Sequence, residues 1–255
     1  MPHPFYLFIF QNTIFYMKIA IQQPYYLPSP SYFVKMAQVE NFIFLNDVQF
    51  EKNDWQHRNR IRNSKDFQWL SVPTFYSFPQ KMNEVQIDFG QRWQHDHLHS
   101  LEACYGSTKY YKQYIPLFAE LFCVPCSTID RLNMDSVNLL AGILDIKPEI
   151  FKTSDYTFKG QGCERLINIC KHFRANSYYA SNSERPYLNE ELFTKAGIEI
   201  VYIPDSPPVY AQQWAKTPAD FIPNLSTVDL VFNCGPKSRT VLLHDTSDGP
   251  PEEKK

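Results

Sequence analysis

Apolar and polar positions alternate along the chain with two different periods. The segment KIAIQQ at 18–23 alternates and is β-branched, which is typical of a strand. After a proline-rich loop, residues 31–40 carry apolar side chains at helical spacing, with Ser31 as the expected N-cap. The segment NFIFLNDVQF at 41–50 is a second strand with a polar end. Strand, loop, helix and strand in this order predict a βαβ unit.

The same alternation continues through the rest of the chain. Further helices are predicted at 92–106, Tyr110–Leu121, Met134–Leu144, Glu164–Phe173, 188–197 and in a closing segment that stops at Gly235. Ser226 at the N-cap and Asp229 at N3 are expected to start this closing helix as a capping box. Further strands are predicted at 85–89, 177–181 and 198–203. The segment 55–73 is interpreted as a basic, polar loop followed by a short strand.

Strands that alternate with helices indicate an α/β fold with a parallel sheet. We expect three layers, a mainly parallel Rossmann-like sheet, and additional helical insertions between residues 93 and 145. Residues 17–244 are predicted to form this domain. Residues 1–16 are expected to be an N-terminal extension, with Met17 as the alternative start, and the polar residues 245–255 a disordered tail.

Composition limits the partners. The chain of 255 residues has 25 Lys and Arg against 27 Asp and Glu, a net charge of -2, so it lacks the basic excess that binding nucleic acid requires. The apolar start is interrupted at 11–13 before it reaches the length of a bilayer span, so no stable membrane insertion is expected. Six scattered cysteines favour a reducing, cytoplasmic location, and the pair Cys123 and Cys126 leaves a thiol redox module as a minority hypothesis.

The loop after the first strand is the most informative feature. Gln22 and Gln23 end the strand, and their amides can bind the edge of a sugar or base, while Tyr25 can stack on a ring. In open α/β sheets, ligands bind beyond the carboxyl ends of the strands. The alternative is that these aromatic rings pack under the loop and the amides cap its backbone.

Polar residues after the second strand are expected at the same rim. Asp47 can act as a general base or bind Mg²⁺ through its carboxylate, and Gln49 follows it. Arg58 and Arg60 alternate along an extended segment around Asn59, so their guanidinium groups point the same way and suit an anion such as phosphate. A turn-capping aspartate and a solvated edge strand are the alternatives.

A second rim loop follows the strand at 177–181. Ser181, Asn182 and Tyr187 would face the Gln23 loop if both strands are parallel in one sheet. Three histidines at 95, 97 and 99 do not form a metal motif, because only the first and third share a helix face. No metal site is predicted, and no cofactor can be assigned from the sequence.

Several segments together resemble the WbqC-like proteins of bacteria. They occur in the family's order over residues 17–235: MKIAIQQPYYLPSPSYF, FIFLNDVQF, NRIRN, WLSVP, Trp93, His97, Leu98, Tyr105, ERLINICKHFRANSYYAS and FIPNLSTVDLVFNCG. The resemblance singles out His97 as a possible acid or base beside Asp47. It implies an association with gene clusters that build surface polysaccharide such as O-antigen.

The function expected from this resemblance is a transferase of surface-polysaccharide biosynthesis. The transferred group would be glycine, another aminoacyl or acyl group, or a sugar, so the expected small-molecule partner is a sugar nucleotide or an acyl or aminoacyl donor. The alternative is a non-catalytic protein that binds a sugar or nucleotide in an aromatic pocket at the strand ends.

Overall fold

The computed structural model describes residues 17–123 and 126–243. The predicted extension 1–16 and the predicted tail 245–255 lie outside these ranges. Within them, no helix combines the length and the apolar character needed to cross a bilayer.

A five-stranded parallel sheet forms the centre of the protein. In chain order the strands of the described residues are β1 (Lys18–Gln22), β2 (Asn41–Phe44), β3 (Arg58–Arg62), β4 (Phe67–Ser71), β5 (Thr74–Phe75), β6 (Gln86–Ile87), β7 (Glu149–Lys152), β8 (Ser177–Ser181) and β9 (Glu199–Ile203). The central sheet has the order β7-β2-β1-β8-β9, and every neighbouring pair is parallel. The predicted α/β fold with a mainly parallel sheet is therefore confirmed.

Helices cover both faces of this sheet and give it three layers. They are α1 (Pro30–Met36), α2 (Trp93–Tyr105), α3 (Tyr111–Cys123), α4 (Ile129–Ile143), α5 (Gly162–His172), α6 (Glu190–Lys195), α7 (Thr227–Cys234) and α8 (Ser238–Leu243). Ala20 and Phe42 point into a core shared with α1, α4 and α7. Ile19, Ile21 and Ile43 point into the opposite core, which α5 and α6 cover.

The order of the strands reverses beside β1. The chain first adds β2 and β7 on one side of β1 and then returns to add β8 and β9 on the other. β1 pairs with β8 only at Lys18 and Ile19, whereas its pairing with β2 continues to Gln22. The carboxyl ends of β1 and β8 therefore separate and leave a crevice, which is where ligands bind in open α/β sheets.

A hairpin replaces the loop predicted in the basic segment. β3 pairs antiparallel with β4, so Arg60 lies opposite Trp69. The prediction of a loop before β4 was wrong because β3 buries Asn59, Ile61 and Arg62. Since two of these three residues are polar, their burial is not visible as a pattern of apolar positions.

Three further elements have boundaries that differ from the sequence prediction. α1 begins at Pro30 with Ser29 as N-cap, two residues earlier than expected from Ser31, because proline fits the first turn of a helix. The predicted strand at 85–89 shortens to β6, two residues paired with β5. α4 begins at Ile129 rather than Met134.

The closing helix α7 begins and ends where the sequence indicates. The side chain of Ser226 accepts a hydrogen bond from the backbone N–H of Val228, and Gly235 ends the helix with a φ of 56°. The expected capping role of Asp229 was wrong. Its carboxylate is fully buried and accepts hydrogen bonds from Tyr105 and Tyr210.

Candidate functional site

A cavity of about 450 Å³ occupies the crevice between the ends of β1 and β8. We call it the switch-point cleft. Its walls come from the loop after β1, from α1, from β3, and from the segments that follow β8 and β9. The residues that line it are Gln22, Tyr25, Pro28, Ser29, Ser31, Tyr32, Lys35, Trp55, Asn59, Arg60, Ser181, Ser183, Glu184, Asp205 and Asn224.

The opening loop, residues 23–29, forms one wall of the cleft and is held from several sides. Asn133 of α4 donates to the carbonyl oxygen of Pro24 at 2.9 Å, and Asn59 donates to that of Leu27 at 2.8 Å. Ser226 donates to the same oxygen of Leu27 at 2.7 Å, and Thr227 donates to that of Pro28 at 2.8 Å. Side-chain hydrogen bonds therefore fix the loop in addition to its prolines.

Lys35, its partner Glu184 and Trp55 line this cleft but were not among the site residues predicted from the sequence. The Lys35 side chain is only 1% exposed, and its ammonium group contacts Gln22 Oε1 and lies 2.5 Å from Glu184 Oε1. A lysine is almost never fully buried unless its charge is paired. Lys35 stands three residues after Tyr32 and one before Met36, both buried, so a helical wheel of α1 would have shown a charge on the apolar face.

Arg60 brings a second cation to the cleft. Its guanidinium lies 5.5 Å from the ring centre of Trp55 and 4.9 Å from that of Phe67. One nitrogen donates to the carbonyl oxygen of Asn224 at 3.3 Å, while the buried Nε has no acceptor among the described residues. Arginine carries five N–H donors, so Arg60 keeps hydrogen-bonding capacity for a ligand.

Tyrosine side chains form the aromatic part of the cleft. Tyr25 and Tyr32 have their ring centres 6.0 Å apart, and the Tyr32 hydroxyl donates to the carbonyl oxygen of Gln23. Burial, followed by the negative charge of Asp54, raises the pKa of Tyr25 far above its ordinary value. Tyr25 therefore acts as a neutral hydrogen-bonding and stacking group.

The predicted binding residues divide into those that line the cleft and those that do not. Gln22, Tyr25, Asn59, Arg60 and Ser181 line it. Four others are not among the lining residues: Gln23, Gln49, Arg58 and Asn182. Tyr187 lies in the same segment after β8, but it is 83% exposed and also outside the lining.

Three of the residues outside the lining have identified contacts elsewhere. Gln23 accepts a hydrogen bond from Gln56 at 2.7 Å, directly behind the opening loop. Gln49 pairs with the backbone of Lys81 in an antiparallel bridge. Arg58 places its guanidinium 4.3 Å from the ring centre of Trp69. Gln23 and Arg58 thus support the walls of the cleft.

Asp47 lies away from the cleft, on the side of the sheet that α5 covers. Both oxygens of its carboxylate bind Arg165 at 2.6 Å, and one of them also accepts from Thr153 at 2.5 Å. Burial by itself would raise the pKa of Asp47, but the hydrogen bonds from Arg165 and Thr153 outweigh it and lower the pKa. Its predicted catalytic role would have to act from outside the cleft lining.

His97 is buried rather than exposed on the surface of α2. Its Nε2 lies 3.2 Å from the carbonyl oxygen of Ser71, so this nitrogen carries the proton, and Nδ1 accepts from the Tyr26 hydroxyl at 2.9 Å. Burial lowers the pKa of His97 to about 4. Both ring nitrogens are therefore occupied, and the predicted acid or base is a neutral cross-link between the opening loop and β4.

The cysteine pair and the acidic residues show no further site. Cys123 is exposed and Cys126 is buried, and burial raises the pKa of Cys126, which opposes the formation of a reactive thiolate. Throughout the part of the chain that the structure describes, no three His, Cys, Asp or Glu side chains gather as metal ligands would.

Two comparisons with known proteins agree. The model of the WbqC-like protein family matches residues 23–241. The uncharacterized protein Rv1507c of Mycobacterium tuberculosis (strain ATCC 25618 / H37Rv) is 32% identical over 231 residues, which cover 89% of this chain and 98% of that protein. No solved structure matches the chain. The residues that build the opening loop, the β3 hairpin and α7 all lie inside the matched range, and the chain belongs to the WbqC-like protein family.

Proposed function

We propose that the protein is a transferase of surface-polysaccharide biosynthesis that binds its activated donor, a sugar nucleotide, in the switch-point cleft. The observation that carries this proposal is the position of the cleft, at the carboxyl ends of β1 and β8 where the strand order reverses. This is the crevice in which open α/β sheets bind nucleotides. An acyl or aminoacyl donor is the alternative for the same cleft.

The chemistry of the cleft suits such a donor. Tyr25 and Trp55 offer ring surface for a base, and Gln22 offers an amide for hydrogen bonds to its edge. The guanidinium group of Arg60 lines the cleft and can donate to a phosphate oxygen. Glu184 is the carboxylate nearest Lys35, and it can accept the proton of an attacking acceptor hydroxyl as that oxygen bonds the sugar and the nucleoside diphosphate of the donor leaves.

Thermal unfolding with a panel of sugar nucleotides and acyl or aminoacyl donors tests donor binding. A ligand at a hundred times its Kd should raise the Tm by about 5–10 °C. Arg60→Ala should remove this shift, whereas Lys18→Ala, at an exposed lysine paired with Glu40, should keep it. A panel in which no donor moves the Tm would contradict the proposal.

A non-catalytic binding protein is the second candidate, and the aromatic residues of the cleft favour it. Both functions predict the thermal shift, but only the transferase releases the nucleoside diphosphate of the donor when an acceptor is added. Glu184→Gln should abolish this release while donor binding persists. A binding protein would show the shift without release, and its affinity would depend most on Tyr25 and Trp55.

A further inference from the structure

A second cavity, of about 560 Å³, lies between the β3–β4 hairpin and α2. We call it the hairpin cavity. Trp69 of β4 and Tyr76, which directly follows β5, line one side, and Trp93, Asp96 and Ser100 of α2 line the other. None of these residues lines the switch-point cleft. The hairpin cavity is thus a separate space with an aromatic wall and a polar wall.

Trp93 carries an unused hydrogen-bond donor at this cavity. The side chain is 4% exposed, and its ring packs edge-on against His97 and Phe122, with ring centres 5.3 and 5.7 Å away. Its indole Nε1 is buried and has no acceptor among the described residues. A buried donor without an acceptor is unfavourable, and an oxygen atom of a ligand in the cavity would satisfy it.

The charges around the cavity favour a neutral ligand. Lys52 and Asp96 are the charged residues in its lining, one of each sign. The two histidines in the lining are neutral in the physiological range, because burial lowers the pKa of both His57 and His97. The ring nitrogens of His57 are also occupied, by the backbone N–H of Asn53 and the carbonyl oxygen of Val72. A phosphate group would find no excess of cations here.

We propose that the hairpin cavity is a binding site for a neutral carbohydrate ring. The apolar face of a pyranose would pack on the part of Trp69 that is exposed, 41% of the residue. Hydroxyl groups at its edge would accept from Trp93 Nε1 and donate to the Asp96 carboxylate. A ring with hydroxyl groups on its edge and C–H groups on its faces matches an aromatic wall opposite a polar wall.

The hairpin cavity and the switch-point cleft share a wall, which suggests that the carbohydrate is the acceptor of the transferred group. Trp69 of the hairpin cavity packs against Trp55 of the switch-point cleft, with ring centres 5.6 Å apart, and the Arg60 guanidinium lies 5.9 Å from the Trp69 ring centre. A sugar in the hairpin cavity would therefore lie beside the donor site. Its assignment as the acceptor sugar rests on the proposed function, whereas carbohydrate binding itself does not.

Ligand-observed NMR tests the site with the full chain and no donor. The probes are the methyl glycosides of glucose, galactose, mannose and N-acetylglucosamine, with inorganic pyrophosphate as the charged comparison. At least one glycoside should bind, and Trp93→Phe, which removes the N–H and keeps an aromatic ring, should weaken it about tenfold. Trp214→Phe is the matched control. Trp214 lines neither cavity, and its indole N–H already donates to the backbone carbonyl oxygen of Cys104.

Two further variants distinguish loss of the carbohydrate site from misfolding and from failure of the donor site. Asp96→Asn, at an exposed position, should weaken the same glycoside. Ser31→Ala, which changes the lining of the switch-point cleft only, should leave the glycoside bound even if no donor binds the cleft. Binding of none of the four glycosides would overturn the proposal. So would a glycoside whose affinity is unchanged in both Trp93→Phe and Asp96→Asn, or pyrophosphate that competes with it.

Discussion

The ammonium group of Lys35 lies 2.5 Å from the carboxylate of Glu184, which joins α1 to the segment after β8 across the crevice of the sheet. Lys35 is buried and Glu184 is 28% exposed, so the pair lies partly out of water. Such a pair contributes little net stability, but removal of one partner leaves the other charge poorly compensated. This ion pair holds α1 and the segment after β8 together at the lining of the cleft.

We expect single changes of this pair to destabilise the protein more than the double change. Glu184→Gln should lower the free energy of unfolding by about 2 kcal/mol, less than for a fully buried pair because Glu184 is partly solvated. Lys35→Met combined with Glu184→Leu should recover most of the loss. Urea unfolding measures both, and additive losses in the double variant would contradict a coupled pair.

The buried, neutral His97 should make the free energy of unfolding depend on pH. Its pKa is about 4 in the folded protein against an ordinary value of 6.5, so the unfolded chain binds the proton more tightly. The stability due to neutral His97 is therefore complete above pH 6.5 and is lost as the pH falls toward 4, by about 3 kcal/mol. In His97→Gln the free energy of unfolding should depend less on pH over this window.

His99→Gln is the matched control for this measurement, because His99 is exposed on the same helix. Its stability should follow the wild-type profile between pH 7 and 4. Identical slopes for wild type and His97→Gln would show that His97 is not held neutral by burial between Tyr26 and Ser71.

Asp47→Asn separates a structural from a catalytic role of Asp47. The variant loses the charge that binds Arg165 and should lower the free energy of unfolding by about 1–2 kcal/mol, because both side chains keep some contact with water. Arg165→Met should have a similar effect. Unchanged stability together with lost transferase turnover would instead support the predicted catalytic role.

Asp229 is expected to be among the most sensitive positions of the core. Asp229→Ala leaves three buried donors without an acceptor, on Tyr105, Tyr210 and Gln212, and should cost about 3–5 kcal/mol. Chemical denaturation measures the loss. Glu191→Ala, which removes an exposed ion pair with Lys195, should change stability by less than about 0.5 kcal/mol.

Two glycines should respond to alanine in opposite ways. Gly235 has a φ of 56°, and a Cβ there would lie 2.4 Å from the Tyr110 ring, so Gly235→Ala should cost about 2–4 kcal/mol. A Cβ at Gly142, within α4, would meet nothing within 4 Å, so Gly142→Ala should stabilise by about 0.5–1 kcal/mol. Differential scanning calorimetry compares the two variants directly.

Local periodicity was enough to predict most of the layered fold. β1, β2, β8 and β9 stand out as apolar runs that alternate with helical spacing, and Ser226 and Gly235 identify the ends of α7. The edge strand β7 did not stand out, because its four residues, Glu149–Lys152, include two charges and are exposed or half-buried. Its place beside β2 depends on tertiary contacts rather than on its own pattern.

The candidate site was only partly predictable from the sequence. Which strand ends are neighbours depends on the order of the strands in the sheet, and no local segment of the sequence determines that order. Gln22 and Ser181, at the ends of β1 and β8, both line the cleft. Asp47 also follows a strand, but β2 lies on the far side of β1 from β8. Asp47 therefore meets α5 instead of the cleft. Helical spacing places Lys35 on the apolar face of α1, but the partner that allows its burial, Glu184, lies 149 positions away in the chain and could not be identified from the local pattern.

The hydrogen bonds from Ser226 and Thr227 to the opening loop have a consequence for the synthesis of the protein. Each hydrogen bond joins residues 199 positions apart in the chain. The carbonyl oxygens of Leu27 and Pro28 therefore have no such donor until Ser226 and Thr227 have been synthesised. A nascent chain can form β1 and β2 early. Its opening loop acquires its final geometry only when α7 has left the ribosome and docked against this loop. Completion of the switch-point cleft is therefore a late event of folding, and a chain that stops before α7 would lack the hydrogen bonds that shape its opening loop.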